Sequence, residues 1–438
     1  MATRAPLTPA RSWWAIFIFM IALTFNYIDR QVMSLLITPI KHDFHLSDTQ
    51  IALLTGFAFV TFYVIIGVPF SRLVDRGPRK WLLGGALTFW SLMTAACGLA
   101  GNVGQLTAAR MLVGAGESCN APGAYSMTSD MFRRDKLAAP MSVIGIGTVA
   151  GSGMALLVGG LLIGWLKHVG PQTFPLVGTL KPWQMTFIIV SLPGVLWAAL
   201  MLATVPEPPR REPAGAPSPT FAETMRHLWA RCDAFGPMFL AYSIKAMLSL
   251  GVTAWSPVFF ERKFGYAPGQ PGLPLGLISL IVSPIGLVLG GWWAQRMFAA
   301  GRKDANMRVV FYVSIPLIAA AILFPLMPTA PLAFVVLGCS LFLGSVGSGP
   351  ANAAIQTITP GRMRGITTAI YIALYNMIGY GLGPLVVGWF NDHVFGEGGI
   401  SHSMVVLAAI AGPLGLLFAW ASLKPYAREV AAAEARGD

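Results

Sequence analysis

The chain has 438 residues, of which 55% are apolar and only 11% are charged, and its mean hydropathy is +0.65. Soluble domains carry about 25% charged residues, so this composition excludes an ordinary soluble protein and indicates an integral membrane protein. The net charge of +12 lies in short gaps between apolar runs, without the basic face that nucleic-acid binding needs. No nucleic-acid partner is therefore expected.

The pattern of reactive side chains argues against an enzyme. The four cysteines form no close pair, and the six histidines lie in connections or at the ends of apolar runs, without metal-ligand spacing. We predict no metal site, no cofactor and no catalytic residues.

Twelve apolar stretches have the length of about 20 residues that crosses a bilayer. The first six predicted spans are 13–37, 49–70, 81–102, 105–131, 139–163 and 184–205. The second six are 235–260, 274–297, 307–327, 331–358, 363–391 and 401–424. Between them, the prolines and charges of EPPRREPAGAPSP at 207–219 disfavour both a helix and burial. We predict an all-α membrane protein with one six-helix bundle over 1–205, a linker over 206–234 and a second bundle with a short tail over 235–438.

The distribution of basic residues predicts the orientation. Of the 30 Lys and Arg, 22 lie at the termini and in alternate gaps on one side, five lie on the other side and three lie inside spans. Basic residues accumulate on the cytoplasmic side of membrane proteins. Both termini are therefore predicted to be cytoplasmic, in a monomeric protein of the plasma (inner) membrane.

An internal repeat supports the two bundles. A constant offset of 228 residues, without gaps, relates a proline, a basic residue and four glycines of the first half to identical residues in the second. The pairs are Gly116 and Gly344, Pro122 and Pro350, Arg134 and Arg362, Gly151 and Gly379, Gly153 and Gly381, and Gly160 and Gly388. Parallel repeats of this kind are typical of alternating-access transporters.

The gap after span 2 reads SRLVDRGPRKW, residues 71–81, and resembles the loop signature G-x-x-x-D-R-x-G-R-K of the major facilitator superfamily. The sequence departs from the signature at two places: Ser71 stands at the position of the first glycine, and Gly77-Pro78 replaces the x-Gly pair. The matching residues are Asp75, Arg76, Arg79 and Lys80. We predict that these four act in gating, as a charged latch between two states; the alternative is a purely topological role for the charges.

Two glycine motifs add to the resemblance. Span 4 contains RMLVGAGES, similar to a motif of proton-coupled members, and span 5 contains GIGTVAGSGMALLVGG, similar to an antiporter motif but with Leu156 at its proline position. Gly151 and Gly153 are predicted to allow helices to slide during gating. Close packing alone is the alternative reading.

Within this superfamily, NYIDR in span 1, the whole of span 2 and RMLVGAGES in span 4 resemble the bacterial spinster-like branch. This resemblance implies twelve transmembrane helices and proton-dependent transport of sphingolipids or lysophospholipids, with membrane lipids as surroundings. An organic anion:cation symporter for a small soluble anion is the alternative, followed by a drug/proton antiporter.

Four ionisable side chains lie inside the first bundle, where isolated charge is costly and usually functional. Asp29 and Arg30 are in span 1, and Arg110 and Glu117 share one face of span 4 because they are two helical turns apart. We expect Arg110 to pair with Asp29. Glu117, whose basic partner is less obvious, is predicted as the first proton carrier and Asp29 as the second, because burial favours the neutral acid and a neighbouring guanidinium favours its ionised form.

The remaining polar residues of the spans are predicted to bind the cargo. Arg30 can donate two parallel hydrogen bonds to a phosphate or carboxylate, and Lys245 offers a second positive charge in span 7. The full predicted set is Arg30, Arg110, Asn120, Tyr242, Lys245, Tyr371, Tyr375 and Asn376. The alternatives are a structural ion network between spans 1 and 4, a carbonyl-bonded Lys245, and aromatic residues that only pack.

Overall fold

The structure, a computed structural model, describes residues 8–132, 136–175, 177–209, 220–360 and 363–436. The chain divides into two compact units: unit 1 comprises Met1–Ala216 and Tyr266–Leu280, and unit 2 comprises Pro217–Gly265 and Ile281–Asp438. Residues 266–280, assigned from the sequence to the second bundle, thus pack in unit 1. The predicted domain boundaries otherwise stay a prediction.

Unit 1 is built almost entirely of helices. They are α1 (Pro9–Leu35), α2 (Ile37–Phe44), α3 (Asp48–Ala52), α4 (Ala58–Arg76), α5 (Arg79–Gly98), α6 (Val103–Glu117), α7 (Asn120–Met131), α8 (Ala138–Val169) and α9 (Pro182–Thr204). A π-helical turn, Leu53–Phe57, joins α3 to α4. The strands β1 (Gln172–Phe174) and β2 (Gly178–Leu180) form an antiparallel hairpin, which the all-α prediction missed because three-residue strands are too short to show an alternating pattern.

Helices are the only regular secondary structure among the described residues of unit 2. Its helices are α10 (Phe221–Ala230), α11 (Cys232–Phe264), the part of α12 (Gly272–Ala299) after Leu280, α13 (Ala305–Leu323), α14 (Ala330–Val346), α15 (Ser348–Ile358), α16 (Arg364–Asn376), α17 (Gly383–Phe390) and α18 (Ile400–Arg436). π-helical turns at Met377–Leu382 and Asn391–Phe395 flank α17. Helix α10 lies inside the region predicted as a linker.

Eleven helical stretches of the described residues are long and apolar enough to cross a membrane. The remaining predicted span, span 4 at residues 105–131, is present as α6 and α7, of 15 and 12 residues. The predicted all-α membrane fold with twelve spans is therefore confirmed, and both this span and the span 331–358 are divided into two helices.

The interruption of this span has a local cause that is repeated in unit 2. Pro122 is the third residue of α7, and in an uninterrupted helix its ring would clash with the carbonyl group of Ser118. Pro350 is likewise the third residue of α15, directly after the end of α14. Adding 228 to the bounds of α6, 103 and 117, gives 331 and 345, each within one residue of the bounds of α14. The repeat found in the sequence is thus also a repeat of helix boundaries.

Glycines of α8 permit close packing within unit 1. A Cβ atom at Gly151 would lie 2.6 Å from the carbonyl oxygen of Thr24 and 2.7 Å from the Cβ of Tyr27 on α1. A Cβ atom at Gly153 would lie 2.5 Å from the Cγ of Leu280. Both positions therefore require the absence of a side chain, as the packing reading predicts, and their role in gating stays a prediction.

We expect Gly151→Ala to destabilise the protein by about 1–3 kcal/mol, because the added methyl group must displace the backbone of α1. Gly145→Ala, six residues earlier on the same helix, is the matched control, since nothing lies within 4 Å of its Cβ position. Thermal unfolding of the purified protein in detergent measures both. Equal melting temperatures for the two variants would contradict the close contact.

Candidate functional site

The centre of unit 1 contains an ion pair between α1 and α6. The Nε atom of Arg30 donates to Oε2 of Glu117 at 2.7 Å, and the side chains are 7% and 0% exposed. The sequence reasoning that left Glu117 without an obvious basic partner was wrong in this respect. The carboxylate binds the guanidinium that was predicted to hold the cargo.

Aromatic rings surround the guanidinium of Arg30. Its central carbon lies 5.4 Å from the ring centroid of Tyr27, 5.0 Å from that of Phe59 and 4.7 Å from that of Tyr63. These distances are within the range of cation–π attraction. Sequence reasoning missed all three rings, because aromatic residues in an apolar helix give no signal that separates them from ordinary packing.

The ring of Phe59 links the two guanidinium groups of the site. It lies 5.1 Å from the central carbon of Arg110 as well as beside Arg30. A Cβ atom at Gly114 would lie 2.3 Å from the carbonyl oxygen of Phe59. The glycine of the R-x-x-x-G-x-G motif therefore lets α6 approach α4 where this ring lies.

Arg110 and Asp29 are neighbours, but the expected ion pair between them is not formed. In the described structure, Nη1 of Arg110 donates to the main-chain oxygen of Asp29 at 3.4 Å, and no salt bridge joins their side chains. The Asp29 carboxyl group lies beside Thr94 and Trp90 of α5. The side chains of Thr94 and Trp90 are buried, and Oγ1 of Thr94 and Nε1 of Trp90 have no hydrogen-bond partner of normal geometry among the described residues.

The interruption between α6 and α7 determines the position of Glu117. This residue is the last of α6, and Asn120 is the first of α7. Three buried polar atoms of α6 and α7 have no hydrogen-bond partner among the described residues: Oε1 of Glu117, Nε of Arg110 and Nδ2 of Asn120. The amide of Asn26 lies near the Glu117 carboxyl group. The site thus retains donors and an acceptor that the protein does not satisfy.

Lys245 of unit 2 lies at the equivalent interruption, between α14 and α15. Its Nζ atom donates to the carbonyl oxygen of Gly344 at 2.8 Å, and a Cβ atom at Gly347 would lie 2.4 Å from Nζ. This is the carbonyl-bonded arrangement that was considered as the alternative. No salt bridge of the described residues involves Lys245.

The predicted aromatic residues of unit 2 lie together. The rings of Tyr242 and Tyr371 are 5.9 Å apart, those of Tyr371 and Tyr375 are 5.8 Å apart, and the hydroxyl of Tyr242 contacts the sulfur of Met307. Tyr242 and Tyr371 belong to a buried apolar cluster. Asn376 is buried at the end of α16. The packing reading accounts for the two tyrosines of this cluster, and binding of cargo by these residues stays a prediction.

A second charged cluster lies where α5 begins, among the residues predicted to act in gating. Arg79 is buried and pairs with Asp130 of α7 at 2.5 Å and with Glu207 at 3.1 Å. Glu207 also accepts from the main-chain N–H of Lys80 at 2.6 Å. Its carboxylate therefore lies at the positive end of the helix. The side chains of Asp75 and Arg76 lie outside the described part of the structure.

Glu207 and Asp130 were missed from the sequence. Each lies far along the chain from Arg79, in the connection after α9 and near the end of α7, so that only the folded structure brings the three together. A weak signal existed, because each is an acid beside a span end that is otherwise basic.

We expect Glu207→Gln to lower the stability of the protein by about 1–3 kcal/mol, because the buried guanidinium of Arg79 loses a charged acceptor. The matched control is Glu434→Gln, which removes the exposed partner of Lys303, with both side chains 48% exposed, and should change little. Thermal unfolding in detergent measures both. A Glu207→Gln variant as stable as the control would show that this carboxylate does not hold the cluster.

Known proteins resemble this chain over nearly its whole length. An MFS-type efflux pump of Mycolicibacterium smegmatis is 29% identical over 96% of the chain and 95% of its own length. Protein spinster homolog 1 of Mus musculus is 25% identical over 84% of the chain and 71% of its own length. A crystal structure of a bacterial homolog of the human lysosomal transporter Spinster, inward-facing and unoccupied, has a TM-score of 0.78 at 23% identity, covering 97% of this chain and 98% of that one.

These similarities confirm the resemblance to spinster proteins that the motifs of spans 1, 2 and 4 indicate. The family description "Major Facilitator Superfamily" matches residues 19–384, which is most of the chain and spans both units. Similar architecture and similar sequence thus point to a transporter rather than an enzyme. The chain belongs to the Major Facilitator Superfamily of membrane transporters.

Proposed function

We propose that this transporter uses proton movement to transport an amphipathic anionic lipid, of the lysophospholipid or sphingoid-phosphate type, by alternating access. The observation that carries the proposal is the buried pair of Arg30 and Glu117 with aromatic rings around the guanidinium. The guanidinium of Arg30 can bind a phosphate through its N–H donors, while the surrounding aromatic rings contact the apolar part of the same molecule.

Coupling follows from competition for one guanidinium. While Glu117 is ionised it occupies Arg30, and a cargo phosphate must displace it. Protonation of Glu117 weakens this pair, so that Arg30 can donate to the cargo instead. In this proposal the proton and the anionic cargo bind to the same state, and their binding energies are linked.

Asp29 is the second proton carrier of the proposal. Its side chain is buried and has no salt bridge among the described residues. An ionised carboxylate in such surroundings is costly, and Arg110, whose guanidinium bonds the main-chain oxygen of Asp29, lies nearby to offset its charge. Proton exchange at Asp29 then changes how firmly α1 is held against α6.

A second candidate function is the efflux of foreign amphipathic compounds. It is supported by the efflux pump of Mycolicibacterium smegmatis, which aligns with nearly the entire chain. The rings of Tyr27, Phe59 and Tyr63 would serve such cargo as well. The third candidate function is transport of a small soluble anion, whose binding needs the guanidinium of Arg30 but not the aromatic rings.

Thermal stabilisation of the purified protein by a panel of ligands separates these functions. The panel contains lysophospholipids, sphingoid phosphates, lipophilic cations and soluble organic anions, each at two pH values. Stabilisation by the anionic lipids that is greater at the lower pH supports the proposal. A response to lipophilic cations alone would support efflux, and a response to soluble anions alone would support an organic anion symporter.

We expect Glu117→Gln to remove most of the pH dependence of lysophosphatidylglycerol binding and to bring the affinity close to that of the wild-type protein at low pH, while Asp29 supplies the remaining pH dependence. Glutamine copies the neutral acid, and the phosphodiester of this lipid keeps its charge. Titration of the protein in nanodiscs at two pH values measures this, with Glu434→Gln as a control that should behave like the wild type. An unchanged pH response would remove Glu117 from the coupling.

We expect Arg30→Ala to weaken lysophosphatidylglycerol binding by about tenfold or more, because a charged hydrogen bond contributes about 1.5–3 kcal/mol. Arg30→Lys should bind with intermediate affinity, since it keeps the charge and loses the planar fork.

Arg30→Ala alone also leaves Glu117 buried without its partner, which lowers stability. The double variant Arg30→Ala with Glu117→Gln therefore serves as a control. It should recover stability but not affinity. Full recovery of binding in the double variant would show that Arg30 only neutralises Glu117.

The distribution of basic residues supports an orientation with both termini in the cytoplasm, and the plasma (inner) membrane is the location that we propose. This orientation and the monomeric state stay predictions.

A further inference from the structure

The short helix α10 exposes a row of large apolar side chains. Phe221, Met225 and Trp229 are 55%, 37% and 79% exposed. They are spaced four residues apart and thus lie on one side of the helix. Trp229 has the highest exposure of any large apolar side chain in the described residues.

The neighbouring side of α10 is fixed to unit 2. Thr224 and Leu228 are buried, and Leu228 joins a core cluster that includes Phe235 and Tyr426. A capping box between Thr220 and Glu223 begins the helix. The exposed apolar row is therefore held in a defined orientation beside the protein core.

Charged pairs show the depth of α10 relative to the membrane. Helix α11, a membrane-spanning helix, begins at Cys232, two residues after α10 ends. At this junction Arg231 pairs with Glu429 at 3.1 Å, and Asp233 pairs with Arg428. The second of these pairs is at least half exposed, which places the junction at the boundary with water, because exposed ions avoid hydrocarbon.

Arg226 lies at the edge of the apolar row. Steps of about 100° per residue place it about 60° beyond Trp229 around the helix axis. Its side chain is exposed, and it forms no salt bridge with another described residue. A long basic side chain beside Trp and Phe at a membrane boundary is the composition of helices that lie in the interface and contact anionic lipid.

We propose that α10 is an interfacial membrane anchor. Phe221, Met225 and Trp229 insert into the leaflet at the junction of α10 and α11, and Arg226 binds the phosphate of an anionic phospholipid in that leaflet. The occupant of this face is the lipid bilayer. The proposal does not depend on which cargo the transporter carries.

Spin labels on the full-length protein test the insertion. In a variant whose four cysteines are replaced by serine, single cysteines are introduced as Phe221→Cys, Met225→Cys and Ala230→Cys, and each protein is reconstituted in nanodiscs. Ala230 is the matched control because it is exposed and lies about 140° from Met225 around the axis. Collision with oxygen, which concentrates in lipid, is compared with collision with a water-soluble nickel complex.

We expect the oxygen-to-nickel ratio to be several-fold higher at positions 221 and 225 than at 230. Equal, nickel-accessible labels at all three positions would show that the face contacts water, and the proposal fails. A label at 225 that is immobile and closed to both reagents would show a protein cover, either a second copy or residues 210–219 of this chain, and the proposal fails equally.

Nanodiscs with and without phosphatidylglycerol test the lipid contact. We expect the ratio at position 225 to rise when this anionic lipid is added to phosphatidylcholine, and this rise to be lost in the additional variant Arg226→Gln. No response to phosphatidylglycerol in the presence of Arg226, or an equal response in its absence, would overturn the assignment of the phosphate contact.

Discussion

The pair of Arg30 and Glu117 is the constraint on which the arrangement of unit 1 depends. Burying two opposite charges inside a membrane-spanning unit has a large desolvation cost, and removal of one partner from such a pair typically costs about 3–5 kcal/mol. Helices α1 and α6 must therefore hold the two side chains in contact at 2.7 Å. Helix α4 packs against the same pair, because Phe59 lies beside the guanidinium of Arg30 and Gly114 lets α6 approach the backbone of Phe59.

The two units share a repeat of helix boundaries, but their charged side chains at the break differ. The positions 228 residues after Arg30 and Glu117 are Val258 and Ser345, so unit 2 has no equivalent ion pair. Unit 2 instead places Lys245 at its own interruption, bonded to a carbonyl oxygen. The repeated prolines accompany a break in the helix in both units, with a buried glutamate at the break of unit 1 and a lysine bonded to a carbonyl oxygen at the break of unit 2. The carboxylate of Glu117 lies at the break of unit 1, and the corresponding residue at the break of unit 2 is Ser345.

Much of the molecule follows directly from the sequence, because length and apolar content of a segment determine whether it can cross a membrane. The twelve spans, their approximate bounds and the 228-residue repeat are of this kind. The loop and span 4 motifs likewise identified the superfamily. The β1–β2 hairpin and helix α10 were not predicted, since each is too short for periodicity to separate it from a connection.

The sequence by itself determined which charges lie inside the first bundle, since Asp29, Arg30, Arg110 and Glu117 interrupt long apolar runs. Only the tertiary structure decided how they pair. Arg30 and Asp29 are adjacent in the chain, so they project from α1 in directions about 100° apart, and the orientation of α1 about its own axis decides which of the two faces Glu117. The rings of Tyr27, Phe59 and Tyr63 and the acids that hold Arg79 were decided in the same way. Their roles depend on which faces of separate helices meet, and the spacing of residues along one helix does not contain that information.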